Sequence, residues 1–265
     1  MPELEVIASR LNSLLQGKTI QKAVVHNHLV LHGIEVRHFE DELTGKVYEA
    51  VRADGKFLLI ALENECEIVV NPMLAGRFRL MERPKRPSKT DIFQLHSDNR
   101  TLRYTDRKRM SRVYLVKGGD YSQVAGFNGR GPSALDPKLK LAEFKQHLRR
   151  RRGQIKNILR NQKFVKGIGN AYADEILLYA GILPFRKKLS LRDEEVEQLY
   201  NAMRNVLMKF KGILEKRSLD EIALEKRDFM MVHNRGGGVC PLCGGRISEV
   251  TANRFKTNYC QTCQK

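Results

Sequence analysis

Long apolar runs are missing from this sequence. The longest, Phe57–Leu62 and Ile68–Val70, are too short to span a bilayer. The start also lacks the charged region, apolar stretch and small-residue cleavage site of a secretory signal, so the expectation is a soluble, intracellular protein. Acidic residues are scarce: 30 Asp+Glu face 48 Lys+Arg, leaving a formal charge of +18 and a sequence pI near 9.9. That excess calls for a polyanionic partner, since each neutralised phosphate releases condensed counterions. Nucleic acid fits better than membrane, because no basic amphipathic helix with an aromatic apolar face stands out. Aromatic residues make up only 7% and form no cluster of stacking platforms, which tells against a single-strand RNA binder. Cysteine is rare outside the tail. Four of the five lie in the last 26 residues, a pattern that suits a metal site rather than a disulfide framework. Cys66, in an apolar run, reads as a small core residue.

What remains is enough to build cores: 265 residues, 42% hydrophobic and 29% charged. Leu4, Ile7, Leu11, Leu14 and Leu15 recur at helical spacing, and Gly17 suits a left-handed end to that helix. From Thr19 to about Val116 short extended runs alternate with turn residues, which suggests an antiparallel sandwich. The runs are Thr19–Val25, His28–Leu31, Val47–Arg52, Phe57–Leu62, Glu67–Val70, Arg77–Met81, Asp91–His96, Leu102–Thr105 and Arg112–Val116. Beyond the Gly129–Pro137 turn region the pattern becomes helical over Ala142–Arg152, Gln154–Asn161, Asn170–Ala180 and Ser190–Lys211, with Asp193 in capping-box position to Ser190. The expected architecture is α+β in three parts: helix plus β-sandwich over 1–125, a helical domain over 126–232, and a cysteine-bearing hairpin over 233–265.

Three stretches carry chemistry. Cys240-x-x-Cys243 and Cys260-x-x-Cys263, sixteen residues apart, have the spacing of a closed four-thiolate zinc site, which is structural because no position is left for substrate water. Lys163 to Gly169, with Asn170 opening the next helix, offers backbone N–H groups, Lys163 and Lys166 to an anion. The start, Met1-Pro2-Glu3-Leu4-Glu5, becomes chemical once Met1 is removed, as is usual before a small residue. The Pro2 amine then titrates at roughly 7.7–8.0, so a useful fraction is nucleophilic and able to form a Schiff base.

Pro2-Glu3-Leu4, Gly55-Lys56, Lys166-Gly167-Ile168-Gly169-Asn170-Ala171-Tyr172-Ala173-Asp174-Glu175 and the paired CxxC tail, in that order, resemble the formamidopyrimidine-DNA glycosylases, a family that includes endonuclease VIII. The resemblance spans essentially the whole chain and implies a helix–two-turn–helix in the helical domain and a zinc ribbon at the end. It further implies a bifunctional glycosylase and abasic-site lyase of base excision repair, acting on double-stranded DNA as a monomer in a bacterial cytoplasm or nucleoid. Pro2 would attack the sugar C1′ of a flipped-out damaged nucleotide, and Glu3 would move protons as the ring opens. β- and δ-elimination would then nick the strand. By the same resemblance Lys56 reaches the active-site phosphate, while Lys156, Lys166, Gly169 and Asn170 contact flanking phosphates. Leu74, Arg109 and Met110 fill the gap left by the flipped base, with Arg109 facing the orphaned base.

Three departures from the family stand out. One proline is absent after Leu4, which shortens the expected opening helix and leaves Glu5 near the family's second N-terminal glutamate. The family's zinc-hairpin arginine, five residues before the third cysteine, falls on Phe255, so Arg254 takes that role or Lys256 does. Residues 217–232 contain no glycine and are short for a flexible loop that closes over 8-oxoguanine. Oxidised purines are the expected substrates. Oxidised pyrimidines, or a non-catalytic damaged-DNA-binding module, are the alternatives.

Overall fold

The computed structural model of the chain describes residues 1–82, 86–252 and 255–265. Its contacts separate two compact units. One comprises Glu3–Asn128 with Leu214–Lys226; the other comprises Met1–Pro2, Gly129–Ile213 and Arg227–Lys265.

The strand-rich unit begins with α1 (Pro2–Leu15), and Gly17 follows at φ 76°, as its lack of Cβ permits. The missing proline has therefore not prevented a 14-residue helix. Leu4, Ile7, Leu11 and Leu15 form its buried stripe, each such side chain contributing about 1.5–3 kcal/mol. Strands β1 (Lys22–Val25), β2 (Tyr48–Asp54), β3 (Phe57–Leu62), β4 (Cys66–Asn71), β5 (Gly76–Met81), β6 (Asp91–Ser97), β7 (Arg100–Asp106) and β8 (Arg112–Lys117) make two antiparallel sheets, ordered β1-β6-β7-β5 and β2-β3-β4-β8. β3 and β4 are central and buried on both faces, which is why they read as continuous apolar runs instead of alternating ones. Phe39, Phe93, Tyr104 and Phe78 stack in sequence through the core, with centroids 4.6–5.9 Å apart.

Two expectations fail here. His28–Leu31 is not a strand: Asn27 accepts the Leu29 N–H at 3.1 Å and tightens His28–Val30 into a 3₁₀ turn. The following segment holds an unanticipated helix, α2 (Val36–Leu43), whose anchors Phe39 and Leu43 are fully buried.

The second unit contains α3 (Leu141–Arg149), α4 (Ile155–Arg160), α5 (Asn170–Tyr179) and most of α6 (Asp193–Glu215), then the hairpin β9 (Ile247–Ala252) and β10 (Phe255–Cys260). α4 and α5, joined by the glycine turn, are the expected pair of helices. α6 starts later than its serine suggested, because Glu195 reaches back to the Arg192 N–H at 2.8 Å and Ser190 belongs to a separate 3₁₀ turn. Residues 217–232 are not a bare loop: Ser218 and Glu221 form a capping box that starts the short helix α7 (Leu219–Ala223). α7 belongs with the strand-rich unit, where Arg77 Nε donates to the Ala223 carbonyl at 3.1 Å and the Arg77 guanidinium pairs with Glu225.

Gly76, at the start of β5, has no room for a side chain. A Cβ there would lie 2.1 Å from the Tyr104 hydroxyl and 2.7 Å from Pro72. Gly76→Ala should cost about 1–3 kcal/mol through overpacking, read as a Tm several degrees lower with an unchanged far-UV spectrum; an unaltered Tm would contradict this close approach.

Candidate active site and nucleic-acid interface

Pro2 occupies the first helical position of α1, where its missing N–H costs no helical bond. It is buried, whereas Glu3 and Glu5 are half-buried in the first turn, where carboxylates favour the positive end of the helix dipole. The residue before it meets the glycine turn. Gly167 has φ 96°, and a Cβ on it would come within 3.0 Å of the Met1 nitrogen. The turn is rigid despite its glycines, because Gln162 accepts the Gly167 N–H at 3.0 Å and donates to the Ile168 carbonyl at 2.9 Å. Gly169 has no side chain to cap α5, so no side-chain acceptor competes for the N–H groups that open the helix. Lys166 is half-buried on the same turn.

Asn170 and Lys156 both reach the hairpin. Asn170 donates to the Lys256 carbonyl at 2.8 Å, tying the turn to β10. Lys156 is only 4% exposed, and its ammonium is enclosed by Asp174 (2.6 Å), the Lys256 carbonyl (3.0 Å) and the Thr257 hydroxyl (2.7 Å). Burial pulls the Lys156 pKa down, and Asp174 pushes it back up. The other Asp174 oxygen pairs with His233 Nδ1 at 2.8 Å. Next to it, fully buried Glu175 accepts the consecutive N–H groups of Met231, Val232 and His233, each at 2.9 Å. Burial raises the Glu175 pKa and those three donors oppose the rise. Two acids in the apolar helix α5 are the sequence signal for Asp174 and Glu175, whereas nothing in the sequence points to His233. Lys256 itself is exposed and pairs with Glu249 at 2.9 Å, while Arg254 lies outside the described residues.

In the strand-rich unit, Asp54 pairs with Phe57, so Gly55 (φ 64°) and Lys56 form a two-residue hairpin tip. Lys56 Nζ lies 5.5 Å from the Phe57 ring centre. Leu74, Arg109 and Met110 are brought together by register. One sheet pairs Asn71 with Arg112 and the other pairs Gly76 with Asp106, so the 72–75 and 107–111 loops cross side by side. Leu74 is 63% and Met110 44% exposed, an apolar display that a core reading does not explain. Arg109 is exposed at φ 52°.

The four tail cysteines converge, with their sulfurs within 4.8 Å of one another. Cys243–Cys260 and Cys240–Cys263 are 3.5 and 3.9 Å apart. Those distances bracket the edge of about 3.8 Å that a tetrahedron of ~2.3 Å metal–sulfur bonds requires. This cluster can bind a metal ion.

The loop bearing Arg109 and Met110 hangs on Asp106, which is buried and accepts from the N–H groups of Lys108, Met110 and Ser111 and from the Ser111 hydroxyl at 2.7–2.9 Å. Burial alone would raise its pKa; the donors outweigh this and hold it below the ordinary value. A depressed folded pKa means stability that is present above the unfolded value of about 3.9 and lost as pH falls through the folded one. Asp106→Asn should lower stability by about 1–3 kcal/mol at pH 7 and flatten the acid side of urea-unfolding curves between pH 2 and 5. A variant with the parental acid slope would contradict this assignment.

Comparison with known proteins agrees with this arrangement. The family profile "Formamidopyrimidine-DNA glycosylase N-terminal domain" matches residues 1–113, and "Formamidopyrimidine-DNA glycosylase H2TH domain" matches 130–219. The formamidopyrimidine-DNA glycosylase of Listeria innocua is 30% identical across 100% of this chain and 99% of its own. That of Moorella thermoacetica is 32% identical over 94% and 93%. The crystal structure of MutM (Fpg) from Thermus thermophilus superposes with a TM-score of 0.85 at 30% identity, covering 100% of this chain and 98% of that one. A Lactococcus lactis Fpg complex with FAPY-dG-containing DNA has the same fold, with TM-score 0.88 at 21% identity over 100% and 99%. Among the described residues no helix is long and apolar enough to cross a membrane. The chain belongs to the formamidopyrimidine-DNA glycosylase family.

Proposed function

We propose that this protein is a DNA glycosylase and abasic-site lyase of base excision repair. Double-stranded DNA carrying a damaged base or abasic site is its partner, and it works as a monomer in a bacterial cytoplasm or nucleoid. The observation that carries the proposal is a buried proline opening α1, followed by two first-turn glutamates, in a chain matched end to end by glycosylases. After removal of Met1, the Pro2 nitrogen attacks C1′ and the C1′–base bond breaks, the base leaving with a proton. Glu3 moves a proton as the sugar ring opens to the iminium, and Glu5 sits one residue beyond as a lesion-side carboxylate. The iminium acidifies C2′, so loss of that proton expels the 3′ phosphate, and a second elimination expels the 5′ phosphate. Lys56 steadies the departing phosphate as a cation.

The remaining roles follow. Lys166, Gly169 and Asn170 receive phosphate at the glycine turn, and Lys256 or Arg254 supplies the hairpin's cation. Lys156 serves this grip from behind, through the Lys256 carbonyl that it shares with Asn170. Leu74, Arg109 and Met110 occupy the space of the flipped nucleotide. The metal is a single structural Zn²⁺ held by Cys240, Cys243, Cys260 and Cys263, and the division into 1–125, 126–232 and 233–265 separates chemistry, DNA grip and zinc hairpin, except that residues 214–226 belong with the strand-rich unit.

The substrates are oxidised purines, 8-oxoguanine and formamidopyrimidines. The replacement of a glycine-rich loop by the pinned helix α7 keeps oxidised pyrimidines as a second reading. Duplexes carrying 8-oxoguanine, formamidopyrimidine, thymine glycol or dihydrouracil decide between them. The expected outcome is preferential excision of the purine lesions with phosphate on both ends of the gap. Preference for thymine glycol and dihydrouracil would transfer the assignment to pyrimidines, and no excision of any lesion would leave a binding module.

A further inference from the structure

Phe255 is an odd residue to find beside the turn of a hairpin meant to meet phosphate. It is 47% exposed and immediately precedes Lys256. Its ring is covered by a cation from another element: the Arg160 guanidinium carbon sits 3.7 Å from the ring centre. Arg160 is the last residue of α4, one turn beyond Lys156. The two basic side chains thus address consecutive residues of β10, Lys156 the carbonyl of Lys256 and Arg160 the ring of Phe255.

The guanidinium is only half-buried, and among the described residues its N–H groups make no hydrogen bond or ion pair. Five donors in a fixed planar fork are unusual to leave unused beside protein. Among the described residues the charges around it do not supply a partner. Asp174 on α5 attracts it, but that carboxylate is already taken by Lys156 and His233. On the hairpin, Glu249 is engaged by Lys256 and Asn258. Partial burial therefore leaves a net positive site. The ring covers the guanidinium from one side, and an arginine fork so placed can give two N–H groups to two oxygens of a phosphate.

We infer that Arg160, held flat by Phe255, is a DNA phosphate-binding residue of this protein. It brings a guanidinium from α4 to Phe255, the position where the family resemblance called for arginine. The inference rests on the proposed DNA-repair function and adds a residue to its phosphate grip. Asn170 donates to the carbonyl of Lys256, the residue that follows Phe255.

The test is equilibrium binding of the full-length, metal-loaded protein to an abasic-site duplex as a function of salt. Arg160→Leu should weaken binding at least tenfold and lower the slope of log K against log salt by about one. Arg160→Lys should recover only part, because an ammonium lacks the fork. Phe255→Ala should weaken binding too, and add little to Arg160→Leu. The decisive variant moves the guanidinium across the contact: Arg160→Leu with Phe255→Arg should restore affinity and slope towards the parent, which a general packing defect would not allow. Metal content and Tm are measured on every variant. Unchanged affinity and slope in Arg160→Leu, or no recovery in the exchange variant with metal content and Tm intact, would overturn the inference while wild-type binding leaves the repair function standing. Failure of the wild type to bind abasic duplex would overturn both.

Discussion

Two neighbouring carboxylates, Asp174 and Glu175, hold the second unit in its working arrangement. Both are buried in α5, and neither would be tolerable there without dedicated partners. Glu175 gathers three consecutive backbone N–H groups just before the hairpin, and Asp174 takes one charged partner from α4 and His233 from that same segment. Removing one member of a buried, fully engaged pair typically costs about 3–5 kcal/mol, because its partner is left charged and unmatched. Here the consequence reaches further than stability. The Lys156 ammonium held by Asp174 also holds the Lys256 carbonyl, so the carboxylate fixes where β10 stands relative to the glycine turn. The cysteine cluster closes the far end of that hairpin.

A division of labour follows from this constraint. In the proposed reading the second unit supplies the grip on DNA: the Gly167–Asn170 turn, the turn end of the hairpin, and Arg160 against Phe255. The strand-rich unit supplies parts displayed from sheet ends, the Lys56 hairpin tip and the two crossing loops with Leu74, Arg109 and Met110. α7 stands out among its parts. A flexible cover over the base pocket would require residues free to move, yet this segment is capped by Ser218 and pinned by Arg77. In the proposed reading a pinned segment there would select among flipped bases by shape, whereas the elimination chemistry at the sugar is indifferent to which base has gone.

Much of this was legible in the sequence where a single physical signal dominated. β3 was read to the residue because it is a continuous apolar run closed by turn residues, and the CxxC pairs declared their cluster by spacing alone. α2 escaped because its two anchors, Phe39 and Leu43, sit among charged residues and resemble a polar connection. The orientation of Lys156 was not readable from local pattern: whether a lysine faces solvent or core depends on Asp174, eighteen residues away in sequence and on another helix. The same holds for Arg160, whose partner Phe255 is in the hairpin. Local signals fix elements; long-range pairing decides which cation is strut and which is hand.

The proposed chemistry depends first on the amine at Pro2. The most direct measurement reduces the reaction of protein and abasic-site duplex with borohydride, digests the trapped complex, and maps the sugar remnant by peptide mass. The predicted result is a single modified peptide beginning at Pro2, with the mass on its N-terminal nitrogen. A remnant on Lys56 or another lysine, or no adduct from protein shown to lack Met1, would contradict it.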